Sequence, residues 1–277
     1  MEPRPLYTPA NCSNSAYQLN WSYTIFWHSR PTDFSWLDEL KTMNEKDHIR
    51  ILQHEFKDSN MSQFLISTRP TVIPLIVAQR IKGRLQRILC DSVPNAFQRN
   101  YSLRSIGSTK REKLEKYIAG QVAHHPMGDS AVQDRLDDYQ IRNLDVDLSL
   151  PQRTAHAQYW HNLHIVLAND GRYMEIRHEL MDRLREMIVK VSKSKGHRLS
   201  RAGILPDHIH ITLGCSLDES PENVVLCYMN NLAYACGMKP VFQYSYFVGT
   251  TGDYDLGVIP RPVVQNPALH RASSVGA

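Results

Sequence analysis

Cysteine is scarce in this chain and poorly spaced for a structural role. Its 277 residues include five cysteines: Cys12, Cys90, Cys215, Cys227 and Cys236, an odd number with no Cys-x-x-Cys pair. That excludes a disulfide framework as the default and implies a reduced, cytoplasmic protein. Long apolar runs are missing too. None reaches the ~18 residues a membrane span needs, so no membrane partner is expected. The N-terminus, "MEPRPLYTPANCSNSAYQ", lacks an apolar h-region and a cleavage site, and no signal peptide is expected. Charge of one sign is not in large excess. Lys+Arg number 32 against 28 Asp+Glu, a net charge of +4, which permits a nucleic-acid partner without demanding one. What is present is ordinary globular composition, 42% hydrophobic and 22% charged. It suffices for one large domain or two small ones, each with its own core.

The chain says the same thing twice. "NWSYTIFWHS" (20–29) parallels "QYWHNLHIVL" (158–167), each a strand rich in aromatic and aliphatic residues. "SQFLIST" (62–68) parallels "DHIHITL" (207–213). "IVAQRIKGRLQRIL" (76–89) parallels "NVVLCYMNNLAYAC" (223–236), both amphipathic helix patterns. "NYSLRSIG" (100–107) parallels "SYFVGTTG" (245–252), matching Tyr101 to Tyr246 and Gly107 to Gly252. Four matches in one order at nearly constant spacing imply two copies of one α+β unit. The expected organisation is an N-terminal extension (1–17), a first repeat (18–125), a linker (126–157), a second repeat (158–256) and a flexible tail (257–277). Residues 175–196 form the clearest predicted helix, apolar at Ile176, Leu180, Leu184, Met187, Ile188 and Val191 and stopped by Gly196.

The copies differ where chemistry could sit. "ILPDHIHITLG" (204–214) places His208 and His210 at i and i+2, on one face of a strand. The first copy has Gln63 and Leu65 at these positions. Conversely, only the first copy continues into "STKREKLEKYIAGQVAHHP" (108–126), a predicted helix with Ser108 and Thr109 as cap candidates. Tyr117 and Gln121 stand at i and i+4, one helical face. A phenol is a weak nucleophile at its free pKa of ~10 and needs a metal or base to act. Two imidazoles and an amide oxygen suit Mg²⁺ or Mn²⁺, and other transition metals as well. Such a cation would polarise a phosphate for attack by Tyr117.

"PDHIHITL" resembles the His–hydrophobic–His (HUH) motif, and "YIAGQVAHH" resembles the catalytic helix of single-tyrosine HUH transposases of the insertion sequence 200/605 and REP-associated type. With "YWHNLHIVL" and "IVAQRIKGRL", the resemblance covers most of residues 20–125 and 158–255. It implies two tandem ferredoxin-like, HUH-type units, each an antiparallel sheet with helices on one face. It implies Tyr117 as nucleophile, forming a 5′-phosphotyrosine and freeing a 3′-OH, with His208, His210 and Gln121 as metal ligands. The implied partner is single-stranded DNA with a hairpin at the element ends. The order departs from the family's, in which the histidines precede the tyrosine. A fused dimer explains this: the first copy supplies the helix and the second the HUH strand, giving one composite site in a monomeric pseudo-dimer.

Other readings stay open. His124 and His125 are a third ligand, phosphate contacts or an ordinary helix end. Asp207 is a partner that tunes an imidazole, or a turn residue. Arg80, Lys82, Arg84 and Arg87, with Arg99, Arg104, Lys110 and Arg111, suit a phosphate backbone, or form a solvated face. "HIT" (210–212) fits the His-x-Thr signature of two-histidine phosphoesterases, but no second such motif exists. A domesticated protein that binds hairpins, or nicks DNA without transposing, is the alternative to a full transposase.

Overall fold

The computed structural model describes residues 4–254; the expected tail, 257–277, lies outside them. The chain runs β1 (Ser13–Gln18), β2 (Asn20–Trp27), α1 (Trp36–Glu45), β3 (Ile49–Asp58), β4 (Met61–Thr68), α2 (Pro74–Leu89) and β5 (Phe97–Ile106). Then come α3 (Arg111–Ala119), α4 (Gln121–His124), α5 (Ser130–Leu136), β6 (Ile141–Arg142) and β7 (Gln152–Arg153). It closes with β8 (Ala157–Trp160), β9 (Asn162–Ala168), α6 (His178–Lys195), β10 (Arg198–Ile204), β11 (His208–Gly214), α7 (Pro221–Ala235) and β12 (Ser245–Thr250).

These elements make an α+β protein with two six-stranded sheets, ordered β3-β4-β2-β5-β8-β7 and β1-β12-β9-β11-β10-β6. Within each, four strands share one plan. β3-β4-β2-β5 and β10-β11-β9-β12 have the same order relative to the chain, with every neighbour antiparallel. Two helices cover one face of each, α1 and α2 on the first and α6 and α7 on the second, which is the ferredoxin-like arrangement.

Strand alternation builds each core. On β2, Trp21, Tyr23, Ile25 and Trp27 point inward, and they pack with Trp36, Val77, Ile81 and Leu85. On β9 and β11, Leu163, Ile165, Ile209 and Ile211 point inward against Ile188, Val225 and Met229. Both faces of β11 are covered, so the whole strand is buried. α6 buries Met181, Leu184, Ile188 and Val191, and ends at Gly196 with φ +68, a backbone state that favours glycine. Its start is later than the pattern predicts. Glu175 accepts the Arg177 N–H in a local turn, and Ile176 is left exposed ahead of the helix.

The repeats exchange strands. Only Leu19 separates β1 from β2, and only His161 separates β8 from β9. β1 pairs in parallel with β12 of the second repeat, while β8 pairs in parallel with β5 of the first. Each long opening strand thus begins in the other repeat's sheet. The chain crosses twice at glycines. A Cβ on Gly107 would lie 2.6 Å from the Thr109 carbonyl oxygen and 3.2 Å from that of Thr250, and one on Gly252 would collide with the Ser105 carbonyl. Neither position has room for a side chain.

Two segments outside the repeats are ordered. The N-terminal extension packs on the second repeat. Tyr7 is buried in the second core, where its hydroxyl donates to the Phe242 carbonyl and accepts from the Val241 and Phe242 N–H groups. The linker is folded too, because Leu136, Tyr139, Ile141 and Leu148 are buried and β6 and β7 extend the two sheets. Among the described residues no helix is long and apolar enough to cross a membrane.

Candidate active site

β11 turns Ile209, Ile211 and Leu213 into the core, so His208, His210 and Thr212 face the opposite side of the sheet. α3 and α4 lie on that side. After β5, the chain passes Gly107 and enters α3, whose first turn is capped from the other repeat: Arg111 N–H donates to the Gly252 carbonyl at 2.7 Å. Ser108 and Thr109 do not act as caps; Lys110 takes that position without a side-chain bond. Ser200 of β10 donates to Glu115 at 2.9 Å, and Glu115 also pairs with Arg111 at 3.1 Å. Gly203, opposite His210 on β10, leaves space for the helix: a Cβ there would sit 3.1 Å from Ile118 and 3.5 Å from Gln121 Oε1. Gln133 of α5 donates to the Val122 carbonyl at 2.7 Å, so the linker holds the end of α4.

The helix is not continuous through the pair. It breaks at Gly120 (φ −94, ψ 0), and Gln121 opens the next short helix. Both side chains still reach the second repeat. Tyr117, half exposed, sets its ring edge-on to His210 with centroids 5.9 Å apart. Gln121 is fully buried, with Nε2 3.1 Å from His210 Nε2 and Oε1 buried without a hydrogen-bond partner.

The imidazoles have their own supports. His208 Nδ1 lies 2.6 Å from Asp207 Oδ1, and Arg172 donates to Asp207 Oδ2 at 3.1 Å. His210 Nδ1 lies 2.9 Å from His164 Nε2, the rings stacked at 12°. Burial, followed by the neighbouring His164, His208 and His125, lowers the His210 pKa to about 2; burial lowers His164 to about 4. Burial also lowers His208, against the opposing pull of Asp207. All three rings are therefore neutral near pH 7, and both nitrogens of His210 have a neighbour, His164 at Nδ1 and the Gln121 amide at Nε2. His125 faces His208 at 5.2 Å between centroids, while His124 ends α4.

His164 and Arg172 were not legible as site residues. His164 lies in "YWHNLHIVL", and only the β9–β11 register, which puts it opposite Thr212, reveals that it shares the face of His210. Among the described residues no group of three or more His, Cys, Asp or Glu is arranged to hold a metal ion. Any cation here would need the amide of Gln121. The orphaned Gln121 Oε1 fits that need, as do two imidazoles whose Nδ1 atoms are already partnered.

Of the cations predicted for DNA, several are engaged within the protein. Arg80 and Arg84 both bind Asp47, and Arg84 also donates to Asn44. Lys82 donates to the Gln98 and Arg99 carbonyls. These three serve the fold of the first repeat. Arg104 stacks on the Trp160 ring at 3.8 Å. Arg87 and Lys110 are exposed.

Residues 157–265 match the family model described as IS200-like transposase. A comparison with curated proteins gives no match. Among solved structures, a candidate transposase from Deinococcus radiodurans R1 is 19% identical, with a TM-score of 0.30, over 31% of this chain and 75% of that one. A REP-associated tyrosine transposase, solved bound to a REP hairpin, is 17% identical with a TM-score of 0.29, over 32% of this chain and 55% of that one. A candidate glycine cleavage system transcriptional repressor aligns over 84% of this chain and 98% of that one, at 10% identity and a TM-score of 0.19. Likeness at these scores is too remote to bear on function.

Proposed function

We propose that the chain, whose residues 157–265 match the IS200-like transposase family model, cuts and rejoins single-stranded DNA through a covalent bond to Tyr117. One observation carries the reading: Tyr117 and Gln121, from the first repeat, lie over His210 of the second. Tyr117 Oη gives up its proton and attacks the scissile phosphorus, the bond to the 3′ oxygen breaks, and that oxygen takes up a proton as a 3′-OH. The product is a 5′-phosphotyrosine, and attack by a 3′-OH reverses the step. His208, His210 and Gln121 would hold Mg²⁺ or Mn²⁺, which supplies charge stabilisation to the phosphate when bound. Asp207 and His164 fix the two imidazoles by their Nδ1 contacts. Gly203 and Glu115 seat the helix on the sheet.

A second observation favours nicking or ligation without complete transposition. On the strand face where the second repeat has its histidines the first carries Gln63 and Leu65, so each chain has one composite site for one strand. The partner we infer is single-stranded DNA beside a hairpin.

The test is incubation with single-stranded DNA from the gene's own flanks plus Mg²⁺ or Mn²⁺. A covalent protein–DNA adduct is expected. It should vanish with Tyr117→Phe, while DNA affinity stays within a few-fold, and an adduct formed by that variant would overturn the assignment. Mixing Tyr117→Phe with a His208→Ala, His210→Ala double variant should restore nothing. Recovery would mean that the helix comes from a second molecule.

A further inference from the structure

A cavity of about 220 Å³ lies between the start of α3 and strands β9 and β12. Ser108 and Leu114 line it from the first repeat, and His164, Phe247, Gly249 and Thr251 from the second. His164 is one wall, and its Nε2 lies 2.9 Å from His210 Nδ1, so the cavity adjoins the candidate site. Its volume falls below the about 300–1,000 Å³ of pockets for drug-sized ligands and suits a single small group.

The lining describes that group. Phe247 and His164 meet edge to face with centroids 5.5 Å apart, offering flat apolar surface. Gly249 keeps the ring in place: a Cβ there would stand 3.1 Å from Phe247 Cζ. Leu114 adds an aliphatic wall. Thr251 is 1% exposed, and its Oγ1 is buried without a hydrogen-bond partner. Leaving a buried hydroxyl unpaired costs free energy, and such an orphan is explained when a ligand completes it. No carboxylate and no Lys or Arg lines the cavity, which argues against a phosphate or a cation as guest. A flat, neutral, hydrogen-bonding guest fits: a nucleobase.

We propose that this cavity receives one base of the single-stranded DNA next to the scissile phosphate, with Phe247 and His164 as its walls and the Thr251 hydroxyl as its hydrogen-bond partner. The inference rests on the DNA-cleaving reading above and adds to it the residues that choose the base. Stacking alone accepts any base; the hydroxyl makes the choice selective.

The experiment measures binding of dAMP, dCMP, dGMP, dTMP and deoxyribose 5-phosphate to the full chain by NMR titration. One nucleotide should bind at least about tenfold tighter than deoxyribose 5-phosphate. Thr251→Val should weaken it about fivefold, the loss of one hydrogen bond, and Thr251→Ser should restore it. Phe247→Ala should weaken it about tenfold. Tyr117→Phe should leave it unchanged, which separates the two readings. Nucleotide binding without an adduct from the flanking DNA would sink the cleavage assignment and leave the pocket standing. Four nucleotides that bind no better than deoxyribose 5-phosphate would overturn the proposal, as would an unchanged affinity in Thr251→Val.

Discussion

At the strand where the second repeat carries His208 and His210, the first carries Gln63 and Leu65, yet both strands hold the same place in the same sheet order. The outer faces have been used differently. In the first repeat, Gln63 donates to Ser22 at 2.7 Å, and Arg104 stacks on Trp160. Side chains there bond to or stack on their neighbours in the same sheet. In the second, Gln121 Oε1 and Thr251 Oγ1 are buried without partners, and three neutral imidazoles crowd together. Arg104 of β5 and Phe247 of β12 lie on the corresponding faces of the two sheets, next to the strand residues paired with Leu65 and His210. One is spent on packing and the other lines a cavity. Buried polar groups left unpaired beside clustered imidazoles mark where a protein gives up stability for work.

The sharpest way to break this comparison is to part the repeats at the site. Gly203→Val would push two methyl groups toward Ile118 and Gln121. The strand tolerates valine, so the helix must yield instead. Adduct formation should fall at least about 100-fold, with a stability cost of about 1–3 kcal/mol. Full activity in this variant would show that α3 need not rest on β10.

Acid offers the next test, because both repeats bury histidine. Burial lowers His54 of the first repeat and His161, at the entry to β9, from 6.5 to about 4. The unfolded chain takes up protons below about 6.5 that the folded chain refuses until about 4. Stability should therefore be full above pH 6.5 and fall as pH drops toward 4, by a few kcal/mol in total. His54 sits among Trp36, Phe56 and Phe64, so His54→Phe is tolerable there. Together with His161→Asn it should reduce proton uptake on unfolding by about two in that window, read from urea midpoints at each pH. An unchanged slope would mean that neither ring stays neutral in the fold.

The crossing glycines test whether the two halves are equivalent at their junction. Gly107→Ala and Gly252→Ala each drive a methyl group into backbone of the crossing, and backbone cannot rotate away. Each should cost about 1–3 kcal/mol in urea unfolding, with similar values for both. A neutral result at one position would show that the pseudo-symmetry ends there.

Much of this was readable in the sequence, and the limits have physical causes. The alternation of β2, β9 and β11 and the apolar stripe of α6 are local patterns, so their faces follow from spacing. Four aligned segments sufficed for the shared topology. The strand exchange by β1 and β8 was not readable, because edge pairing depends on what lies alongside in space. The cap of α3 was misassigned for the same reason: the acceptor is the carbonyl of Gly252, in the other repeat. The α2 cations pointed to DNA by composition, but composition cannot show that Asp47 and two backbone carbonyls already hold three of them. The pairing of Tyr117 and Gln121 with the HUH strand came from logic about missing parts rather than from any local signal.

The smallest effect expected is also the most specific to the second repeat. In the cleavage step itself His164 acts through His210: it contacts His210 Nδ1 and so settles which nitrogen of that ring faces Gln121. Asp207 does the same for His208, but as a carboxylate anchored by Arg172. The first repeat has no such arrangement on β4. A neutral ring orients its neighbour less firmly than a charged group does, so His164→Ala should lower the cleavage rate about tenfold and Asp207→Ala by more. His164→Gln, whose amide can still meet Nδ1, should recover part of the loss. Raising the Mn²⁺ concentration should also recover activity in His164→Ala if the defect lies in ligand geometry. If His164→Ala cleaves at the full rate while losing its nucleotide preference, the ring serves only as a wall of the cavity, and His210 is oriented by the strand alone.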